Sequence, residues 1–278
     1  MHATPDISEV KTRLIAPFGQ AKGRIRKTTS ILTLTAFFDE CGETWTGRDL
    51  DAVNRSFSLR YPGVVKLLPV VGQHGITNQV VKILKASTSG AHSTVVADTG
   101  SGMAPMILET LERLQFFRIA KEAGARLTVL VYAIDDRDAI RELTDAMQVI
   151  GNEADYLVVR SPGFYPCSWY DGSPLQKTLL SNGAKEITLP TLMPSTIEAI
   201  LRAEMACGQA LTFPNALNHL KGFEWADLDF YLKNSAAEFH RVAEIILPTA
   251  RAAKLKALAA ETPVAKKSLG SLDYNLGE

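Results

Sequence analysis

Few of the features that declare a function at sight are present in this sequence. Cysteine is scarce: Cys41, Cys167 and Cys207 are odd in number and far apart. That excludes a disulfide framework and a CxxC metal site, and leaves three ordinary thiols. The histidines, His2, His74, His92, His219 and His240, are scattered without HxxxH spacing, so a zinc hydrolase is not indicated. No GxSxG elbow occurs, which removes the usual serine hydrolase. No uncharged run approaches the ~20 apolar residues that a membrane-spanning helix needs. The opening, MHATPDISEV, lacks the apolar core of a secretory signal, so a cytoplasmic location is expected. Net charge is also lacking: 30 basic residues balance 30 acidic ones. No global field then draws the chain toward nucleic acid or anionic lipid, and such binding needs a local patch or self-assembly.

What the chain does have is alternation. At 278 residues and 46% hydrophobic content it can bury an ample core. Short Val-, Ile- and Leu-rich runs predict strands at 13–18, 64–71, 94–98, 126–134, 156–160 and 186–189. Their lack of strict polar alternation suits strands covered on both faces. Helical patterns fall between them at 29–40, 77–85, 105–123, 138–150 and 195–207. A closing helix is expected over 235–260, interrupted near Pro248. This order predicts an α/β fold: a single doubly wound, mostly parallel sheet flanked by helices. One domain over 13–260 is the simplest division, with an N-terminal extension at 1–12. Pro, Gly, Ser and Lys make 261–278 a flexible tail.

The first strand runs into Gly19-Gln20-Ala21-Lys22-Gly23-Arg24-Ile25-Arg26-Lys27-Thr28-Thr29 and then a helix. Strand, tight loop, Lys-Thr and helix is the layout of a phosphate-binding loop. Backbone N–H groups and the helix N-terminus hold phosphate oxygens, a lysine supplies countercharge, and a threonine hydroxyl can reach Mg²⁺. One helix further on lies Arg48-Asp49-Leu50-Asp51-Ala52-Val53-Asn54. Later, Thr94-Val95-Val96-Ala97-Asp98-Thr99-Gly100 reads as a buried strand ending in a carboxylate.

These three segments, in this order, resemble the ParA/MinD family of P-loop ATPases. KGRIRKTT is similar to that family's deviant Walker A motif, KGGxGKTT. Two of the family's glycines are here Arg24 and Arg26, where a side chain needs an uncommon backbone or displaces phosphate. The resemblance implies a nucleotide site made by Gly23, Arg24, Ile25, Arg26, Lys27, Thr28 and Thr29. Lys22 falls on the signature lysine that reaches the partner's nucleotide across a dimer. By the same match Asp49 and Asp51 are the switch I aspartates, with Asp51 positioning the attacking water. Thr28, Asp49 and Asp98 then form the Mg²⁺ set, and the cofactors are ATP and Mg²⁺. A late strand ending Leu189-Pro190-Thr191-Leu192 fits the family's base-binding region, whereas Arg160-Ser161-Pro162 lacks its asparagine.

The function that follows is a dimeric, nucleotide-dependent switch or ATPase in plasmid partitioning, stability or conjugation. The aromatic loop from Pro162 to Tyr170 resembles that plasmid-encoded subgroup. DNA binding without sequence preference would fall to Arg241, Arg251, Lys254, Lys256, Lys266 and Lys267, and a partition or conjugation protein is the expected partner. The alternative is a degenerate pseudo-ATPase scaffold that binds partner proteins without hydrolysing ATP. A small-molecule synthetase on the same fold is a third reading.

Overall fold

The computed structural model describes residues 9–18, 20, 26–70, 74–163 and 166–261. Seven parallel strands form one sheet in the order β3-β2-β4-β1-β5-β6-β7. They are β1 (Thr12–Ala16), β2 (Trp45–Asp49), β3 (Val65–Leu67), β4 (Thr94–Asp98), β5 (Ala125–Ala133), β6 (Asp155–Arg160) and β7 (Lys185–Thr188). The doubly wound class expected from the alternation is what the chain forms. Strand β1 is central, with Leu14 opposite Val95 of β4 on one side and Leu127 of β5 on the other.

Helices cover both faces, and alternate strand residues feed two cores. Ile15, Val96, Leu130 and Leu157 point into a core shared with α1 (Lys27–Glu40), α8 (Pro194–Cys207), α9 (Phe213–Leu217), α10 (Gly222–Arg241), α11 (Ala243–Ile246) and α12 (Thr249–Glu261). Leu14, Val95, Val129 and Val158 point the other way. That second core includes residues of α3 (Gly75–Thr88), α4 (Ala104–Arg113), α5 (Phe116–Glu122), α6 (Arg137–Ile150) and α7 (Pro174–Ser181). The short α2 (Ser56–Arg60) follows β2, and Phe57 on it stacks against Trp45.

Helix α1 is buried almost all round, from Ser30 through Phe38. It lies between the sheet and α10, where Phe37 meets Phe239 and the Thr33 hydroxyl meets that of Tyr231 at 2.8 Å. A helix enclosed on two sides needs no polar stripe, which is why its sequence shows none.

Several expectations are corrected. The pattern at 105–123 is two helices, α4 and α5, because Gln115 adopts φ 49° and turns the chain so that Phe116 is buried. Strand β2 carries Thr46, Gly47 and Arg48, and its polar look hides a fully buried strand. Gly47 is required there, since a Cβ would lie 2.4 Å from Val65 Cγ2 and 2.9 Å from the Phe57 ring. The closing helix starts earlier, at Gly222, and breaks at Val242 as well as before Thr249. Strand β3 is much shorter than 64–71, although residue 71 lies outside the described residues. No helix among the described residues is long and apolar enough to cross a membrane.

Candidate functional site

The C-terminal ends of β1, β2 and β4 lie side by side, so whatever follows those strands meets at one edge of the sheet. The chain leaving β1 enters α1 at Lys27, and Arg26 precedes it with φ 64° and ψ 28°. This is the left-handed region that glycine enters at little cost and arginine at about 1 kcal/mol. The αL conformation therefore sits where the resemblance puts a glycine. Of the expected loop residues, Lys22, Gly23, Arg24 and Ile25 lie outside the described residues.

Helix α1 starts with no side-chain cap and no acidic residue in its first turn. Its N-terminal N–H groups and dipole are thus not neutralised by the helix itself, and the first residue adds a positive charge. Such an end favours an anion.

Thr28 and Asp98 are brought together: Thr28 Oγ1 donates to Asp98 Oδ2 at 2.6 Å. Asp98 ends β4, is 1% exposed, and its Oδ1 is buried with no hydrogen-bond partner. Burial pushes this carboxyl up to about 7; the Thr28 bond and the Lys27 charge oppose that rise, while Asp49 and Asp51 add to it. An orphaned carboxylate oxygen beside a threonine hydroxyl is a donor set of the hard-oxygen kind that Mg²⁺ prefers. Thr28 and Asp98 therefore fit the expected ion.

Asp49 is the register partner of Asp98, on β2. It is fully buried, and both its oxygens are engaged: Oδ1 accepts from the Asp51 amide at 3.0 Å and Oδ2 from the Ser58 amide at 2.9 Å. Burial raises its carboxyl, against those amides. Asp49 thereby fixes the turn that carries Asp51. Asp51 Oδ1 accepts from the Val53 and Asn54 amides, and Oδ2 from Asn54 Nδ2 at 2.8 Å. Burial would raise Asp51, but the Asn54 and Val53 bonds and the Lys27 charge outweigh it and hold this carboxyl low.

Lys27 is 7% exposed, and its ammonium donates to the Gln20 carbonyl at 3.3 Å. Burial lowers its proton affinity, while Asp98, Glu142 and Asp51 sustain it. The fold thus gathers Lys27, Thr28, Asp98 and Asp51 at one place, and Asp49 supports them from beneath. Among the described residues no group of three or more His, Cys, Asp or Glu side chains converges as a metal-ligand cluster.

Beside this edge a cleft of about 470 Å³ is lined by Arg26, Thr28, Thr29, Arg60, Ile200 and Phe213, among others. Thr29, expected at the nucleotide, lines this cleft from the first turn of α1. Arg160, at the end of β6, is held by both oxygens of Asp171 at 2.7 and 2.8 Å. The expected DNA-contacting arginines are also engaged: Arg241 with Glu238, and Arg251 with Glu43 and the Cys41 carbonyl. Lys254 and Lys256 are exposed, whereas Lys266 and Lys267 lie outside the described residues. Gln20, Tyr132 and Glu142 carry no signal in the sequence that marks them as part of this edge.

No family model matches the chain, and no curated protein matches it. Among solved structures the chain is similar to the MinD cell division protein of Aquifex aeolicus, at 12% identity over 90% of this chain and 98% of that one, TM-score 0.40. It is also similar to a plasmid partition protein from Borrelia burgdorferi, at 14% identity over 66% and 90%, TM-score 0.34. A third is the signal recognition particle 54 kDa protein of Aeropyrum pernix K1, solved in complex with GDP, at 14% identity over 87% and 55%, TM-score 0.34. With scores this low, function is argued from the residues of this chain.

Proposed function

We propose that this chain is a nucleotide-dependent switch of the ParA/MinD kind that binds ATP with Mg²⁺ at the end of β1. One observation carries the reading: Thr28 and the buried, half-orphaned carboxylate of Asp98 meet at the uncapped start of α1, next to Lys27. Lys27 and the first N–H groups of α1 take the terminal phosphates. Thr28 and Asp98 would hold Mg²⁺, which would supply neutralisation of the charge on the phosphates. Asp51, kept anionic by its amide bonds, orients water for hydrolysis. Lys22 reaches a second subunit's nucleotide, so ATP drives dimerisation, and the dimer engages DNA or a partition or conjugation partner.

Sedimentation velocity with and without ATP and Mg²⁺ tests this. The expected outcome is a monomer that becomes a dimer only with both, and a Lys27→Ala variant that stays monomeric throughout. Identical sedimentation of the wild type under all conditions removes the switch.

A second reading, the pseudo-ATPase scaffold, is favoured by Arg26 occupying an αL position that a glycine would fill without strain. It expects Lys27→Ala to leave partner binding intact, and Arg24→Gly with Arg26→Gly to create ATP binding that the wild type lacks.

A further inference from the structure

Gln20, and Lys27 at the start of α1, are tied to the same residue of a neighbouring strand. Gln20 is a polar side chain with 1% exposure. Its amide imitates a strand: Oε1 accepts from the Tyr132 N–H at 2.7 Å and Nε2 donates to the Tyr132 carbonyl at 3.0 Å. Pairing of β1 with β5 runs only as far as Ala16 opposite Val129, and the Gln20 side chain resumes that ladder three residues along β5. The Tyr132 hydroxyl donates to the Lys27 carbonyl at 3.4 Å. The Lys27 ammonium returns to the Gln20 carbonyl at 3.3 Å. The three residues close a ring that is almost wholly out of solvent, with Tyr132 at 4% exposure.

The ring has two consequences. Side-chain amide bonds to main chain in a buried setting are strong and costly to leave unmade, so the start of the loop cannot drift from β5. The ammonium that must meet phosphate is held at a fixed depth by a carbonyl. A phosphate oxygen, carrying full charge, outcompetes that carbonyl for the proton donor.

We infer that Gln20 is a positioning residue for the start of α1: by clamping Tyr132 it sets where the Lys27 ammonium stands, ready for a polyphosphate. This inference rests on the nucleotide-binding reading above, and its test separates the two.

The informative variant is Gln20→Met, which keeps length and bulk and removes both amide bonds; Tyr132→Phe keeps those bonds and removes only the hydroxyl. Calorimetric titration of the full chain with ATP and Mg²⁺ is paired with thermal melting and with hydrogen exchange at the Tyr132 amide and across residues 26–30. Expected are faster exchange in Gln20→Met, about a tenfold loss of ATP affinity, the equivalent of two weakened hydrogen bonds, and a loss of about two- to threefold in Tyr132→Phe. A purely structural residue would lower the melting temperature and leave the affinity of the folded protein unchanged, and that result overturns the inference. If Gln20→Met does not fold, Tyr132→Phe decides: affinity equal to wild type overturns the ring. If wild type itself binds no ATP, the nucleotide reading fails, and exchange alone judges the clamp. Faster exchange at residues 26–30 in Gln20→Met then upholds it as the device that positions the start of α1, and unchanged exchange overturns it.

Discussion

The two edges of the same sheet differ in how completely their buried charges are paired. At the N-terminal edge, Arg13 of β1 and Arg126 of β5 share the single carboxylate of Asp155 on β6. Arg13 also donates to the carbonyls of Leu247 and Glu244 at 3.1 and 2.7 Å, which fastens the C-terminal helices to the sheet. Burial would raise Asp155, but the Arg126 bond and both guanidinium charges hold it below the usual carboxylate range. At the C-terminal edge Asp98 is pushed up to about 7 by burial, and its Oδ1 has no hydrogen-bond partner. The first cluster is satisfied by the chain itself. The second leaves one buried carboxylate oxygen unpaired, a position that an arriving cation would fill. A cleft of about 740 Å³ lies against the satisfied edge, and one of about 470 Å³ beside the other. An unpartnered buried carboxylate oxygen is the better guide to the site.

The largest expected effect separates these roles. Asp155→Ala strands two guanidiniums, and breaking a buried pair costs on the order of 3–5 kcal/mol; denaturant melts should show that loss, with ATP affinity of the folded fraction unchanged. Asp98→Asn should do the reverse: chemical melts at pH 8 show the ligand-free protein as stable as wild type or more so, while ATP–Mg²⁺ binding disappears. Should Asp98→Asn unfold the protein as Asp155→Ala does, the contrast between the edges is lost.

The pH dependences are opposite in sign. Asp155 has a depressed folded value, so its stabilisation is present above the unfolded carboxylate range and is lost as pH falls through the folded one. Asp98 has a raised folded value. Its stabilisation is full below the unfolded value and declines as pH climbs toward 7, by an amount on the order of a few kcal/mol in the ligand-free protein. Wild-type melts between pH 4 and 8 should therefore lose a component that Asp98→Asn does not lose. Equal slopes in the two proteins would contradict the burial of Asp98.

The smallest effect concerns the loop. Arg26→Gly relieves the αL strain, while it frees the unfolded chain and removes the interactions of the arginine side chain, so these opposing effects should leave stability within about 1 kcal/mol of wild type. Thermal melts showing a much larger loss would mean that the arginine side chain itself holds the loop.

How legible this was differs by edge and by element. Strand β4 was readable residue for residue, because Thr94–Asp98 is an apolar run stopped by a carboxylate. Strand β2 was not, since Gly47 and Arg48 are there for packing and local hydrogen bonds that no periodicity encodes. The meeting of Thr28 with Asp98 was expected from motif order, and the supporting role of Asp49 was not: its two amide partners, on Asp51 and Ser58, depend on the turn after β2. The Gln20–Tyr132 clamp joins residues 112 apart in the chain, and such a contact leaves no local trace. Nor does the Arg13–Asp155–Arg126 cluster, whose three members start three different strands.

The most direct measurement is a calorimetric titration of the wild-type chain with ATP in the presence and absence of Mg²⁺, repeated on Asp98→Asn and Lys27→Ala. The account predicts a saturable heat for the wild type that is weakened without Mg²⁺ and absent in both variants. A flat wild-type trace, or binding that survives both substitutions, would contradict it.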